Sequence, residues 1–166
     1  MRRFVAIVLL AFLPFAAVSA QELSAPAGPV VLTVSGAITH TNSDGAALFD
    51  QAMIDALAQH SITSETPWYD GAQTFSGALV SGLLEAVGAT GSALTVTALN
   101  GYSAEIPNAD VLENQVILAS RVNGKLLSVR DKGPLFVVYP FDSNPELFNE
   151  LYFGRSVWQL TAITVN

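Results

Sequence analysis

The sequence predicts an α+β domain with a mixed β-sheet and two or three short helices. Many short segments are rich in β-branched residues or alternate in polarity, as strands do. Two Asn-Gly pairs, at residues 100–101 and 123–124, each separate two such segments and predict two-residue hairpin turns. Fewer segments carry apolar residues at helical spacing. Since strands and helices do not alternate strictly, their order indicates α+β with a mixed sheet.

The first predicted strand covers residues 30–34, which are mostly β-branched and are followed by Ser35-Gly36. Further strands are expected at residues 93–99, 102–106, 116–122, 126–129, 135–139 and 157–165. The last of these alternates in polarity and is expected to close the sheet. Tyr102 and Tyr139 are expected in the core, with their hydroxyl groups hydrogen-bonded.

Two longer segments predict helices. Residues 49–60 carry apolar side chains on one helical face. A second helix is expected after residues 74–77 and ends at Gly88, since glycine is common just beyond a helix end. A short third helix is expected at residues 145–151. Residues 62–70 are polar and aromatic and contain a proline, which predicts a loop or an irregular strand.

The N-terminus has the pattern of a secretory signal peptide. Arg2 and Arg3 precede an apolar run at residues 4–17, and residues 18–20 are small enough for a cleavage site. We therefore expect a signal peptide at residues 1–20, with an uncleaved anchor as the alternative. The residues around the two arginines favour the ordinary secretory route over twin-arginine export. A chain exported unfolded cannot carry a bound cofactor with it.

Composition narrows the class of protein. Residues 21–29 predict a mobile lead, and residues 30–166 suit one domain, which we expect in the periplasm. The net charge of −7 becomes −9 once the leader's two arginines are removed, which argues against nucleic acid or an anionic membrane surface as a partner. The absence of cysteine excludes disulfides and thiolate zinc sites, and two separated histidines give no strong metal motif.

Two C-terminal segments are the most informative. Residues 130–140 read RDKGPLFVVYP, and residues 154–163 read GRSVWQLTAI. Together they resemble the core of the molybdopterin-binding oxidoreductase domain of the sulfite oxidase family. Shorter elements of the same pattern occur in order at residues 49–60, 75–84, 101–107 and 117–126. The resemblance runs from Phe49 to the C-terminus and implies that family's barrel-like mixed-sheet fold.

Two departures from this pattern bear on the cofactor. The place of the family's metal-binding cysteine is taken by residues 63–68. Trp158 stands where the family has a lysine that helps to hold the cofactor's phosphate. The resemblance therefore implies a retained pocket that lacks its metal ligand. The expected ligand is a metal-free pterin, with no molybdenum and no other metal.

A pterin presents two flat faces that favour aromatic side chains and an edge of N–H donors that a carboxylate accepts. Trp68 is the candidate stacking residue, with a lid over the core as the alternative. Trp158 is a candidate ligand wall, or else a core residue. Asp70 is a candidate for the pterin edge, although aspartate before glycine is also a common turn residue.

The other candidates are a mixture of donors and acceptors. Arg130 and Asp131 are candidate ligand residues, with a salt-bridged turn as the alternative. Arg155 is a candidate donor to the pterin carbonyl, or else the ion-pair partner of an acid. Ser156 suits a hydrogen bond to the ligand or to the backbone equally well. A binding site requires that three loops converge: residues 68–70, 130–131 and 152–158.

The pattern as a whole also resembles a bacterial group of small secreted pterin-binding proteins. That resemblance implies a periplasmic, non-enzymatic protein that regulates a membrane-bound partner through its periplasmic domain. The partner would be a diguanylate cyclase–phosphodiesterase, which acts in cyclic di-GMP regulation, or a sensor kinase. One alternative is a molybdopterin-dependent oxidoreductase whose metal is held without cysteine. The other is a scaffold protein that binds a partner without any ligand.

Overall fold

The structure is a computed structural model that describes residues 23–166. The expected signal peptide at residues 1–20 lies outside these residues. None of the helices in the described part has the length and apolar character needed to cross a bilayer.

Within residues 23–166, ten strands form one sheet. They are β1 (Val30–Gly36), β2 (Ala46–Asp50), β3 (Gln59–Ser64), β4 (Gln73–Leu79), β5 (Ala93–Ala98), β6 (Ser103–Pro107), β7 (Ile117–Val122), β8 (Lys125–Leu126), β9 (Leu135–Val138) and β10 (Trp158–Val165). Four short helices accompany them: α1 (Gln51–Ala56), α2 (Val80–Ala86), α3 (Asn108–Glu113) and α4 (Glu150–Arg155). Two 3₁₀ turns lie at Val129–Asp131 and Pro145–Leu147.

The sheet is mixed, as predicted, and β10 is its centre. The main path runs β2-β1-β10-β9-β7-β4-β3, with β5 and β6 attached through β10 and β8 attached to β7. The β1–β10 pair is parallel, and the other pairs are antiparallel. β5 pairs with one edge of β10. On the other edge, β9 pairs with the first residues of β10 and β1 pairs with its last residues. A single strand therefore joins two parts of the sheet.

The prediction for residues 49–60 was wrong in extent. The helix covers only Gln51–Ala56, because Ala46–Asp50 pairs with β1 and Gln59–Ser64 pairs with β4. The apolar spacing fitted a longer helix, but sheet pairing between distant segments overrides such local preferences.

The second helix also begins later than predicted. Gln73–Leu79 is a central strand between β3 and β7, and α2 starts at Val80. Gly77 permits the close approach of β7, since a Cβ at this position would collide with the carbonyl oxygen of Leu118. The short helix α3 was not predicted at all.

Buried side chains form two clusters on the sheet. The larger one includes Leu32, Leu83 and Ile163, and the smaller one includes Phe75 and Phe136. Trp68 is half-buried and packs against both clusters. The loop that carries Trp68 is therefore held in place by the core, although its sequence is polar.

The residues before β1 are held by Asp50. This side chain is 4% exposed and caps α1 by accepting a hydrogen bond from the Met53 N–H at 2.9 Å. Its other oxygen accepts bonds from the N–H groups of Ala27 and Gly28, at 2.8 and 2.7 Å. The hydrogen bonds from Met53 and Gly28 hold the pKa of the Asp50 carboxyl below its usual range, against the opposing effect of desolvation.

This lowered pKa predicts how stability depends on pH. The stabilisation by Asp50 is complete above the unfolded-state pKa of about 3.9 and is lost as the pH falls through the lower folded-state pKa. We expect Asp50→Asn to be less stable at pH 7 and to lose less stability than the wild type on acidification. Urea denaturation between pH 7 and pH 3 measures this. Asp44→Asn, in an exposed turn, is the control, and equal pH dependence of the Asp50→Asn variant and the wild type would contradict the assignment.

Candidate functional site

The structure brings together the three loops that carry the candidate ligand residues. The rings of Trp68 and Trp158 are 5.9 Å apart between centroids and inclined by 69°. The neighbouring Tyr69 places its ring 4.4 Å from the ammonium group of Lys132 and donates its hydroxyl to the Asp131 carbonyl at 3.5 Å. Residues far apart in the sequence thus meet at the beginning of β10.

A cleft of about 380 Å³ opens at this meeting point, a volume within the usual range for small-molecule sites. Its apolar and aromatic walls are formed by Trp68, Ala98, Phe153, Gly154, Val157 and Trp158. Its polar side chains are Asn100, Tyr102, Glu150 and Ser156. Two indole rings, an amide and a carboxylate therefore face one space, which suits a flat heterocycle with hydrogen-bonding edges.

The position of Trp158 follows from an irregularity in β10. Gln159 has a φ of +51°, and the pairing register with β9 shifts at this point. The Gln159 N–H donates to the Lys132 carbonyl at 2.9 Å, and its side-chain amide donates to the Val129 carbonyl at 2.7 Å. A left-handed conformation is unfavourable for glutamine, so these bonds are what hold it. With Gln159 in this conformation, the side chain of Trp158 is 39% exposed and lines the cleft.

Helix α4 forms the opposite wall and is fixed by a polar cluster beneath it. Arg155 donates to an Asp110 carboxylate oxygen at 2.7 Å, and the Tyr139 hydroxyl donates to the same oxygen at 3.0 Å. The Arg155 and Asp110 side chains are only 18% and 13% exposed. Burial, and next the negative charge of Asp110, raise the pKa of Tyr139, so its hydroxyl remains a donor.

Three of the seven candidate ligand residues line the cleft: Trp68, Ser156 and Trp158. The Ser156 hydroxyl donates to the Tyr152 carbonyl at 2.9 Å, so it bonds to the backbone. Arg155 lies behind the wall in its ion pair with Asp110, which is the second of the two roles considered for it.

The remaining candidates lie outside the cleft. Asp70 is exposed, and its carboxylate makes no hydrogen bond within residues 23–166. The Asp131 carboxylate accepts the Ser128 hydroxyl at 2.7 Å and closes its own 3₁₀ turn. Arg130 projects from the same turn without an ion pair in the described part of the chain. No salt bridge joins these two neighbours.

Seven of the ten lining residues were not among the predicted ligand residues, namely Ala98, Asn100, Tyr102, Glu150, Phe153, Gly154 and Val157. Tyr139 is fully buried as predicted, but the prediction of a core position for Tyr102 was wrong, since it is 51% exposed and donates to the Gly154 carbonyl at 3.0 Å. The Asn-Gly turn marked the hairpin that carries Tyr102, but only the fold shows that this turn meets α4.

Metal-ligating side chains do not cluster in the described part of the chain. Residues 23–166 contain no group of three His, Asp or Glu residues able to share a metal ion. Three larger clefts, of about 570, 620 and 490 Å³, lie beside His40, His60 and Asp142 and contain none of the seven candidate ligand residues. The cleft beside the two tryptophans is therefore the best-supported ligand site.

Comparisons with known proteins agree with the fold. The family model described as oxidoreductase molybdopterin binding domain matches residues 50–165. Among solved structures, 28 chains match. One is the sulfane dehydrogenase SoxCD from Paracoccus pantotrophus, with a TM-score of 0.59 and 16% identity. That alignment covers 81% of this chain and 37% of the SoxCD chain. No curated protein matches.

These matches confirm the sulfite-oxidase-like fold and correct one expectation. A metal-free pterin without molybdenum was expected because the chain has no cysteine. That expectation was wrong, since the matched family is one of molybdopterin-binding domains. The chain nevertheless offers no cysteine thiolate to a metal.

Proposed function

The chain belongs to the family of oxidoreductase molybdopterin binding domains, and we propose that it binds a molybdopterin-type cofactor in the cleft lined by Trp68 and Trp158. The observation that carries this proposal is the cleft itself. Two indole rings that contact each other edge to face, with centroids 5.9 Å apart, form part of its wall, and its volume is about 380 Å³. A bicyclic or tricyclic pterin is of the size and flatness that such walls favour.

The residues present fit the organic part of the cofactor. Trp68 and Trp158 would hold its ring system, and Glu150 and Asn100 would meet its hydrogen-bonding edge. The chain has no cysteine, so it offers no thiolate to a metal. Bound molybdopterin supplies a dithiolene that ligates molybdenum through its own sulfur atoms. Retention of the metal therefore does not require a sulfur from this chain.

For the biological role, we propose a periplasmic cofactor-binding module that regulates a membrane-bound partner. Tyr102 and Trp158 line the cleft and are 51% and 39% exposed, and Leu99 and Leu151, which are sequence neighbours of lining residues, are 59% and 56% exposed. Exposed apolar residues that cluster in this way are typical of protein interaction surfaces. The signal-peptide pattern at residues 1–20 supports a periplasmic location, and a chain exported unfolded would take up the cofactor only after export.

The partner that fits is the periplasmic domain of a membrane-bound diguanylate cyclase–phosphodiesterase or sensor kinase. Regulation would act by population shift, in which the cofactor binds the partner-competent form of the protein more tightly than the other form. Tyr102 and Trp158 line the cleft and are also exposed at the surface. A partner on that surface would contact the ligand as well as the protein.

An oxidoreductase is the second candidate, and the family description favours it. In that case the cofactor would carry molybdenum with non-protein ligands in the place of cysteine. The two roles differ in catalytic turnover, because a regulatory protein needs only to bind the cofactor, whereas an oxidoreductase must also convert a substrate. They share the same cleft.

Reconstitution tests the proposal. The protein without residues 1–20 is mixed anaerobically with cofactor released from a loaded molybdoenzyme and then separated by gel filtration. We expect close to one pterin per chain, measured as fluorescence after oxidation, with no turnover of artificial electron acceptors. Protein that emerges without pterin would contradict cofactor binding. Stoichiometric pterin and molybdenum with turnover would support the oxidoreductase.

A further inference from the structure

Positive charge is scarce in this acidic chain and is unevenly placed. The whole chain has a net charge of −7, and residues 23–166 contain five cationic side chains. Two of these, Arg121 and Arg155, are in ion pairs, each at 2.7 Å from a carboxylate. The other three have no ion pair within the described residues and lie close together in sequence, at Lys125, Arg130 and Lys132.

Two of these three, Arg130 and Lys132, lie on a turn that bonds to β10 next to Trp158, and neither side chain lines the cleft itself. The turn at residues 129–132 contacts β10 next to Trp158, through the two hydrogen bonds from Gln159 to the Val129 and Lys132 carbonyls. The half-buried Lys132 lies with its ammonium group 4.4 Å from the ring centroid of Tyr69. Tyr69 is the direct neighbour of Trp68.

The turn also keeps its own acid away from these cations. The Asp131 carboxylate is occupied by the Ser128 hydroxyl, at 2.7 Å, and makes no ion pair with Arg130. Lys132 has a φ of +72°, and the Gly133 N–H closes the turn on the Ser128 carbonyl at 2.7 Å. Two cations are therefore presented by a short, internally bonded turn, and the exposed Arg130 is open to an anion.

The charge on the other side of the cleft has the opposite sign. Glu150, at the start of α4, is the charged side chain that lines the cleft itself. A ligand with an anionic group at one end and an N–H-rich edge at the other would lower its electrostatic energy in one orientation only. Its edge would face Glu150, and its anionic group would lie toward the 129–132 turn.

We propose that Arg130 and Lys132 form the subsite for the phosphate monoester of the cofactor, beside the tryptophan side of the cleft. This inference rests on the proposed function, because it assigns the orientation of a ligand in the same cleft. Lys125 carries the same charge on β8, where its described contacts are with β7, and it is not part of the subsite. It therefore provides a matched control.

The test compares two ligands that differ only in the phosphate. One is the fluorescent pterin obtained by air oxidation of molybdopterin, and the other is the same compound after phosphatase treatment. We expect the wild type to bind the phosphorylated compound about tenfold more tightly at low salt, as charge-assisted hydrogen bonds predict. In the double variant Arg130→Gln, Lys132→Gln this ratio should fall close to one, with unchanged affinity for the dephosphorylated compound. Lys125→Gln should keep the wild-type ratio.

The outcomes separate this inference from the proposed function. If neither compound binds the wild type, the proposed function fails and the subsite fails with it. If both bind equally well, or if the double variant keeps the wild-type ratio, the subsite is disproved while the cleft assignment stands. Circular dichroism of the double variant confirms that a lost ratio is not caused by unfolding.

Discussion

Replacing Trp158 with alanine is expected to lower the affinity for the oxidised molybdopterin derivative about tenfold or more. Stacking of a flat base on an aromatic side chain contributes about 1–3 kcal/mol to binding in other systems. Trp158 forms a wall of the cleft and is 39% exposed, so its removal takes away a binding surface more than a core contact. Fluorescence titration of the purified variant measures the change.

Two further variants make this prediction specific. Trp158→Phe keeps an aromatic face and should recover part of the affinity. Leu126→Ala removes an apolar side chain that is 58% exposed on β8 and does not line the cleft, and should leave the affinity unchanged. Trp68→Ala is less informative, because the half-buried Trp68 packs against both core clusters. Wild-type affinity in Trp158→Ala would remove this residue from the site.

Loss of Asp110 is expected to destabilise the domain by about 3 kcal/mol, since the variant Asp110→Ala leaves Arg155 charged and without its partner in a largely buried position. The Tyr139 hydroxyl loses its acceptor as well. For a domain of this size, this corresponds to a fall in Tm of roughly 6–12 °C. Urea denaturation and thermal unfolding measure it. Because α4 forms one wall of the cleft, ligand affinity should also decrease.

The second ion pair of the described chain is the control. Arg121 and Asp55 meet at 2.7 Å, but their side chains are 30% and 34% exposed. The Arg121 hydrogen bond lowers the pKa of Asp55, yet solvent screening limits what such a pair contributes to stability. Asp55→Ala should cost at most about 1 kcal/mol. If Asp55→Ala and Asp110→Ala lowered the free energy of unfolding equally, the burial of the Asp110 cluster would add nothing to its contribution to stability.

The elements that the sequence predicted well are those with local signals. The two Asn-Gly turns form hairpins because both pairs suit tight turns, and Asn123 and Gly124 have positive φ values. The closing strand at 158–165 was visible from its alternation. The elements that were missed depend on partners far away in the chain. Residues 46–50 form a strand because β1 lies beside them, and no pattern within them indicates this.

The candidate site, like the fold, could be predicted from the sequence only where the signal is local. Residue types pointed to the three loops, and the fold brings these loops into contact through Trp68, Tyr69 and Trp158. The sequence left two roles open for Arg155, because the acid that pairs with it is 45 residues away. The left-handed conformation of Gln159, which sets the start of β10 against the 129–132 turn, also has no local signal.

The most direct measurement is a crystal structure of the protein in complex with the oxidised molybdopterin derivative. Density for the ring system should lie against Trp158 and Trp68, with one edge toward Glu150. A ring bound instead in the cleft beside His40 and Met53, or a tryptophan cleft closed by its own side chains, would contradict the assignment of the site.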